Sequence, residues 1–272
     1  MPFTTLILAG SRPGTDPLLA GTSYRSKALF PIGGRPMLCH VLDAITAAPQ
    51  TGRIIVAAQD APTLASDPGF QVYEDVEWRA TQGSIADAVG TVLSEFDGPL
   101  FVTTADNVLL TAGMIAQFLE VGADSDVAVG LVERQRVAQA GHSTQRTWLK
   151  FRNGQWSGAN LFLLGGKQVM PLLKFWKSIE QDRKKGWKII GAFGPALLVG
   201  ALLRLLDIHQ FVLRAARRFG LSARIVPMEA AEACIDADKP SDIPVIEQIL
   251  EARQADASAA STASSASLSS SS

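Results

Sequence analysis

Three stretches of the sequence hold residue types suited to phosphate chemistry. Asp106 closes the apolar run PLFVTTAD (99–106), and Asp236 and Asp238 recur two residues apart in IDAD (235–238). A carboxylate at the end of a strand suits Mg²⁺, which takes one or two carboxylates and completes its shell with water and substrate phosphates. Period two puts Asp236 and Asp238 on one face of an extended segment, so a second carboxylate could come from there. A turn or cap role would serve equally for Asp106, and Asp242 reads as an N-terminal helix cap. The third stretch, LAGSRPGTDPLLAGTSYRSK (8–27), carries three glycines, two prolines and two arginines. Such a loop suits close backbone approach, with amides aimed at phosphate oxygens and Arg12 or Lys27 neutralising charge, Arg25 in reserve. It holds neither G-x-G-x-x-G nor the Walker lysine, which disfavours a Rossmann dehydrogenase or a P-loop NTPase.

The elements around these stretches alternate. TTLILAG (4–10), RIIVAAQ (53–59), PLFVTTAD (99–106) and SDVAVGLVE (125–133) are apolar at most positions, as strands covered on both faces are. Between them, RPMLCHVLDAITA (35–47), GSIADAVGTVLSEF (83–96) and TAGMIAQFLEVG (111–122) place apolar residues at helical spacing. Alternation of this kind predicts a three-layer α/β/α fold with a mainly parallel sheet. Ligands bind such sheets at the carboxyl ends of the strands, where both the first loop and Asp106 fall. The segment AEACIDADKPSDIPVIEQIL (231–250) reads as a short strand, a proline turn and a helix.

Composition bounds the rest. The chain has 272 residues, 47% of them hydrophobic and 19% charged, with a net charge of -1, so nothing draws it generally to nucleic acid or acidic membrane. Cys39 and Cys234 lie too far apart for a metal-type pair and favour a reduced, cytoplasmic protein. The start MPFTTLILAG lacks a basic n-region and reads as a buried strand rather than a signal peptide. His40, His142 and His209 form no triad with either cysteine, and His40 with Cys39 reads as part of a core helix. The expected organisation is a domain over 1–254 with a helical insertion at about 166–220, then an Ala/Ser-rich tail (255–272) too poor in apolar residues to order.

Taken in order, LILAG, Lys27 in SKALFPIGGRPML, TTADNVLLT and IDADKPSDI resemble the nucleotidyltransferases of the molybdenum-cofactor guanylyltransferase-like family, of the nucleotide-diphospho-sugar transferase fold, over about residues 4 to 250. The resemblance implies that the first loop, with Leu8, Ala9, Gly10 and Gly14, wraps the nucleotide phosphates. It implies that Lys27 holds phosphate oxygens with Arg12 beside it, and that Asp106 binds Mg²⁺ with Asp238 as the second ligand. QGSIADAV (82–89) resembles the segment lining base and ribose, making Gly83 and Ser84 candidates for nucleotide contact, although a helix cap explains the same pair. The reaction implied joins an NTP to a small phosphorylated acceptor, a sugar or alcohol phosphate, with release of pyrophosphate and by alignment and charge neutralisation alone. The sixteen residues between Gly10 and Lys27 depart from the commonest family spacing and leave the helper arginine open.

The second half bears on the acceptor. TWLKFRNGQWSGANLFLL (147–164) reads as a hairpin turning at Asn153-Gly154, whose Lys150, Arg152 and Asn160 could meet a polar acceptor together with Asp236; exposed hairpin charge is the plainer explanation. In KKGWKIIGAFGPALLVGALLRLL an apolar run of about fifteen residues, broken by Gly191, Gly194, Pro195 and Gly200, falls short of the roughly twenty that span a bilayer. A buried helix, a homodimer contact and a peripheral membrane contact through 187–206, at the inner face of the membrane, all stay open. If it is interfacial, the product could be an activated polar head group, with CTP the first guess for the nucleotide. Two rival functions stand beside this one. An NDP-sugar-dependent glycosyltransferase would commonly show Asp-x-Asp where this chain has Ala105-Asp106-Asn107, and a non-catalytic membrane-surface protein would bind no nucleotide.

Overall fold

The computed structural model describes residues 2–10, 16–142, 145–181 and 194–269. Strand β1 (Phe3–Leu8) leads to a small hairpin, β2 (Pro31–Ile32) and β3 (Arg35–Pro36), and then to α1 (Met37–Thr46). The hairpin turns on Gly33 and Gly34, whose φ values of 55° and 77° only glycine adopts at no cost. Next come β4 (Thr51–Ala58), α2 (Ala61–Ala65), β5 (Val76–Ala80), α3 (Ile85–Glu95), β6 (Leu100–Thr104), α4 (Ala112–Gly122), β7 (Val127–Glu133) and α5 (Arg134–Gln139). The hairpin β8 (Leu149–Phe151) and β9 (Gly154–Leu164) precedes, among the described residues, the helices α6 (Met170–Gln181), α7 (Pro195–Leu202) and α8 (Ile208–Arg217). Strand β10 (Ala223–Pro227) and the long α9 (Ile243–Ser269) end the described chain.

The main sheet runs β10-β7-β9-β6-β1-β4-β5, with β8 hydrogen-bonded to β9. Every pair is parallel except those of β9, which runs against β6, β7 and β8. Period two distributes the apolar side chains of the central strands between two cores. Leu6, Ile55 and Val102 meet Val89, Val92 and Leu93 of α3 and Leu173 of α6. On the opposite face Ile7, Val56 and Phe101 meet Leu38, Leu42 and Ile45 of α1 and Ile115, Phe118 and Leu119 of α4. This is the mainly parallel three-layer fold predicted from the alternation, and the near-continuous apolar runs follow from burial on both faces.

A third cluster lies at the carboxyl ends of the strands. Leu18 from the first loop, Ile32, Met37, Val108, Leu109, Ile235, Ala237 and Ile246 of α9 are buried together. Four segments far apart in sequence thus share one apolar anchor, and each carries or flanks one of the polar stretches singled out above.

One expectation is corrected. The stretch expected as a short strand at 231 is a 3-10 turn, Ala231–Cys234, tucked into the core through Ala231, Ala233 and Cys234; small residues without β-branching favour the tighter coil. Helix α9 runs on through the described part of the Ala/Ser-rich stretch, to Ser269.

Close approach between α4 and β7 is set by glycine. A Cβ at Gly122 would stand 2.9 Å from the Ala128 Cβ, which cannot rotate away. Helix propensity favours alanine there by about 1 kcal/mol, whereas overpacking a core contact costs about 1–3 kcal/mol. Gly122→Ala is therefore expected to lower the melting temperature by a few degrees; a rise would show that the layers have room.

Candidate active site

Asp106 lies in the turn after β6. The β6 end is fixed on both sides: the Ala105 amide donates to the Leu8 carbonyl at 3.0 Å, and the buried Asn107 side chain donates to the Ala159 carbonyl at 3.1 Å. The Thr104 hydroxyl donates to Asp106 Oδ1, and the Asp106 carbonyl accepts the Ala237 amide at 3.0 Å. That backbone bond brings the 236–238 segment alongside Asp106.

Lys27 opens a 3-10 turn and reaches into the gap between them. Its Nζ donates to Asp106 Oδ2 at 2.9 Å and to Asp238 Oδ1 at 2.7 Å. Burial by itself lowers the Lys27 pKa, but the Asp106 charge and then the Asp238 hydrogen bond outweigh it, and the net result lies above the ordinary 10.5. The ammonium is therefore fully charged at neutral pH. Asp238 is 52% exposed and Asp106 19%, so the Asp238 contact is the better screened and the easier to exchange for another cation.

Two carboxylates converging on one cationic atom are a donor set that fits Mg²⁺. No cluster of three or more His, Cys, Asp or Glu with metal-holding geometry exists among the described residues. The remaining ligands would then be water and substrate oxygens, the usual habit of this ion.

Beside Asp238 opens a cleft of 390 Å³, lined among others by Asn160, Ser157, Asp236, Lys239 and Arg146. Arg146 is a residue that no motif or spacing singles out. Its guanidinium binds Asp236 Oδ1 and, at 2.8 Å, the Asp236 carbonyl, and lies 3.8 Å from Asp242. Its side chain is 8% exposed and its Nε has no partner within the described residues. Asn160 donates to Asp236 Oδ2 at 3.1 Å from a backbone φ of 52°, beside an irregularity in the β7–β9 register that turns it toward the cleft. Asp242 occupies the cap position expected of it, but its carboxylate accepts the upstream amides of Asp238 (3.2 Å) and Lys239 (2.9 Å), fixing the turn that carries Asp238.

Of the residues expected at a site, the structure thus gathers Lys27, Asp106, Asp238, Asp236 and Asn160. Lys150 does not join them: on β8 it is exposed opposite Gln155 and does not line the cleft, because hairpin alternation turns it away. Leu8, Ala9 and Gly10 end β1 next to the Asp106 turn; the Ala9 side chain is core, so only backbone there could meet a ligand. Arg12 and Gly14 lie outside the described residues. Ser84 forms a capping box with Asp87, in which the Ser84 hydroxyl accepts the Asp87 amide at 3.2 Å and the Asp87 carboxylate accepts the Ser84 amide at 3.2 Å. Gly83 adopts φ 106° to enter it. The cap role expected for Ser84 is thus formed. Cys39 and Cys234 are buried free thiols, and burial raises the pKa of both.

Residues 6–168 match the family model described as MobA-like NTP transferase domain. Among solved structures, a hypothetical transferase from Thermus thermophilus superposes with TM-score 0.73 at 23% identity, covering 89% of this chain and all of that one. A 4-diphosphocytidyl-2C-methyl-D-erythritol synthase from Anaerococcus prevotii gives TM-score 0.58 at 9% identity, over 92% of this chain and 96% of that chain. A second structure of a synthase of that name gives 0.58 at 15% identity, over 92% and 98%. No curated protein matches.

The Arg146 junction should carry stability as well as position. Removing one partner of a nearly buried ion pair leaves the other charges uncompensated and costs about 3–5 kcal/mol. Arg146→Ala is expected to lower the unfolding free energy by that order in urea titration, and Arg146→Lys to restore only part of it, since an ammonium cannot fork. An unchanged midpoint would mean that water already satisfies Asp236 and Asp242.

Proposed function

The chain belongs to the MobA-like NTP transferase domain family, and we propose on that footing that it transfers a nucleoside monophosphate from an NTP to a small phosphorylated acceptor, a sugar or alcohol phosphate, releasing pyrophosphate in a Mg²⁺-dependent reaction. The coarse activity, nucleotidyl transfer, is that of the family. The observation that carries the finer reading is the convergence of Asp106 and Asp238 on Lys27 at the rim of a polar cleft.

Asp106 and Asp238 would hold Mg²⁺, which when bound supplies charge neutralisation on the triphosphate. Lys27, whose partners are then engaged elsewhere, turns its charge to a phosphate oxygen. The cleft takes the acceptor, with Asn160 and Asp236 meeting hydroxyls and Lys239 facing its phosphate. An acceptor phosphate oxygen attacks the α-phosphorus in line, the bond from that phosphorus to the bridging oxygen breaks, and pyrophosphate leaves. Asp106 and Lys27 need no proton transfer to do this; they position and neutralise. CTP is the first nucleotide to test, since the two synthases of this fold are named for a diphosphocytidyl product.

Each of the four NTPs, with Mg²⁺ and a panel of sugar and polyol phosphates, is to be assayed for pyrophosphate. Asp106→Asn and Lys27→Ala are each expected to lower kcat by about 10²–10³, the loss typical of one preorganised charge-stabilising group. Lys150→Ala should stay within about two-fold of the wild type, since that side chain lies outside the cleft. Release of free NDP from an NDP-sugar, with no pyrophosphate from any NTP, would replace this reading with the glycosyltransferase one.

A further inference from the structure

The segment between α6 and β10 ends in a surface that nucleotidyl transfer does not use. In α7, Leu197 and Gly200 face inward, and Leu206 packs against Gly200. The other face and the turn after it project outward: Val199 is 50% exposed, Leu202 81%, Leu203 61% and Leu205 60%. Four large aliphatic side chains within seven residues stand in solvent.

Their exposure is built into the backbone. The Leu205 amide donates to the Gly200 carbonyl at 2.8 Å and the Arg204 amide to the Ala201 carbonyl at 3.0 Å, the double bond of a Schellman turn. Arg204 occupies its left-handed position at φ 55°, where glycine is usual. A closed turn therefore displays Leu202, Leu203 and Leu205 around one exposed arginine.

Charge along the segment that carries this tip is one-sided, although the Arg218 guanidinium lies against Gly194 at the other end of α7. Residues 194–224 hold five arginines, all exposed (Arg204, Arg214, Arg217, Arg218 and Arg224), against one acid, Asp207, which is paired with Arg152. The whole chain carries -1, so this segment is a basic island on an otherwise acidic protein. A second copy is a poor occupant: a two-fold contact would set Arg204 near its own image, and four side chains fall well below the roughly 800 Å² per partner of a standard interface. No described helix is long and apolar enough to cross a membrane.

We propose that the Leu202–Leu205 turn and the flanking end of α7 insert into the surface of an anionic lipid bilayer, with Arg204 meeting the headgroups and the basic charge of residues 194–224 favouring an anionic surface. Aliphatic side chains reach the acyl boundary while guanidinium groups stay at phosphate level. The protein would then be held at the membrane face without spanning it. The inference does not depend on the nucleotide chemistry.

The test is co-sedimentation of the full chain with vesicles of phosphatidylcholine alone and of phosphatidylcholine with phosphatidylglycerol. Binding to the anionic vesicles, weakened by salt, is expected. The triple variant Leu202→Ser, Leu203→Ser, Leu205→Ser should lose at least ten-fold in affinity. Arg204→Gly suits the left-handed turn and so keeps the fold; it should weaken binding to anionic vesicles several-fold, and it carries the test if the triple variant misfolds. No sedimentation with anionic vesicles, or binding that both variants leave unchanged, would overturn the proposal. A concentration-dependent dimer abolished by the leucine changes, without vesicle binding, would overturn it in favour of self-association.

Discussion

The candidate site depends on one ammonium group. Lys27 bridges Asp106 and Asp238, which lie 79 and 211 residues further along the chain. Without a cation between them, two carboxylates brought this close would repel one another, and the Lys27 ammonium offsets that repulsion before any ligand arrives. The arrangement is costly in entropy because it closes long loops, and the apolar cluster of Leu18, Ile32, Val108, Ile235 and Ile246 offsets that cost by burying each participating segment in one place.

Strain and satisfaction divide the site into two parts with different tasks. Around Asp236 and Asp242, the guanidinium of Arg146, the Asn160 amide and two backbone amides satisfy the acids and hold them nearly buried. Around Asp238, half the side chain faces water and the bond to Lys27 is open to exchange. A rigid junction therefore supports a replaceable one, as expected where a polyphosphate must enter and leave.

The fold was legible because each central strand is buried on both faces and each helix on one, which imprints continuous apolar runs and helical spacing on the sequence. Asp106 and Lys27 could be found because each ends or follows a strand at the edge where α/β sheets bind ligands. Asp238 could be found from its period-two spacing. Arg146 could not: it sits in a polar stretch without periodicity, and its importance comes wholly from contacts 90 residues away. Lys150 could not be placed from sequence, because a hairpin lysine looks the same whether it faces a cleft or solvent. The apolar run at 194–206 is neither wholly core nor wholly surface, since glycine at 200 lets one face pack and a left-handed arginine turns the rest outward.

The most direct test of the Lys27-bridged carboxylate pair is calorimetric titration of the protein with each NTP, with and without Mg²⁺, in the wild type and in Asp106→Asn. One nucleotide should bind at a single site, at least ten-fold more tightly with Mg²⁺, and that gain should vanish in the variant. Equal binding with and without the metal, or a Mg²⁺ effect that survives the loss of the Asp106 charge, would contradict the assignment of this pair to the nucleotide site.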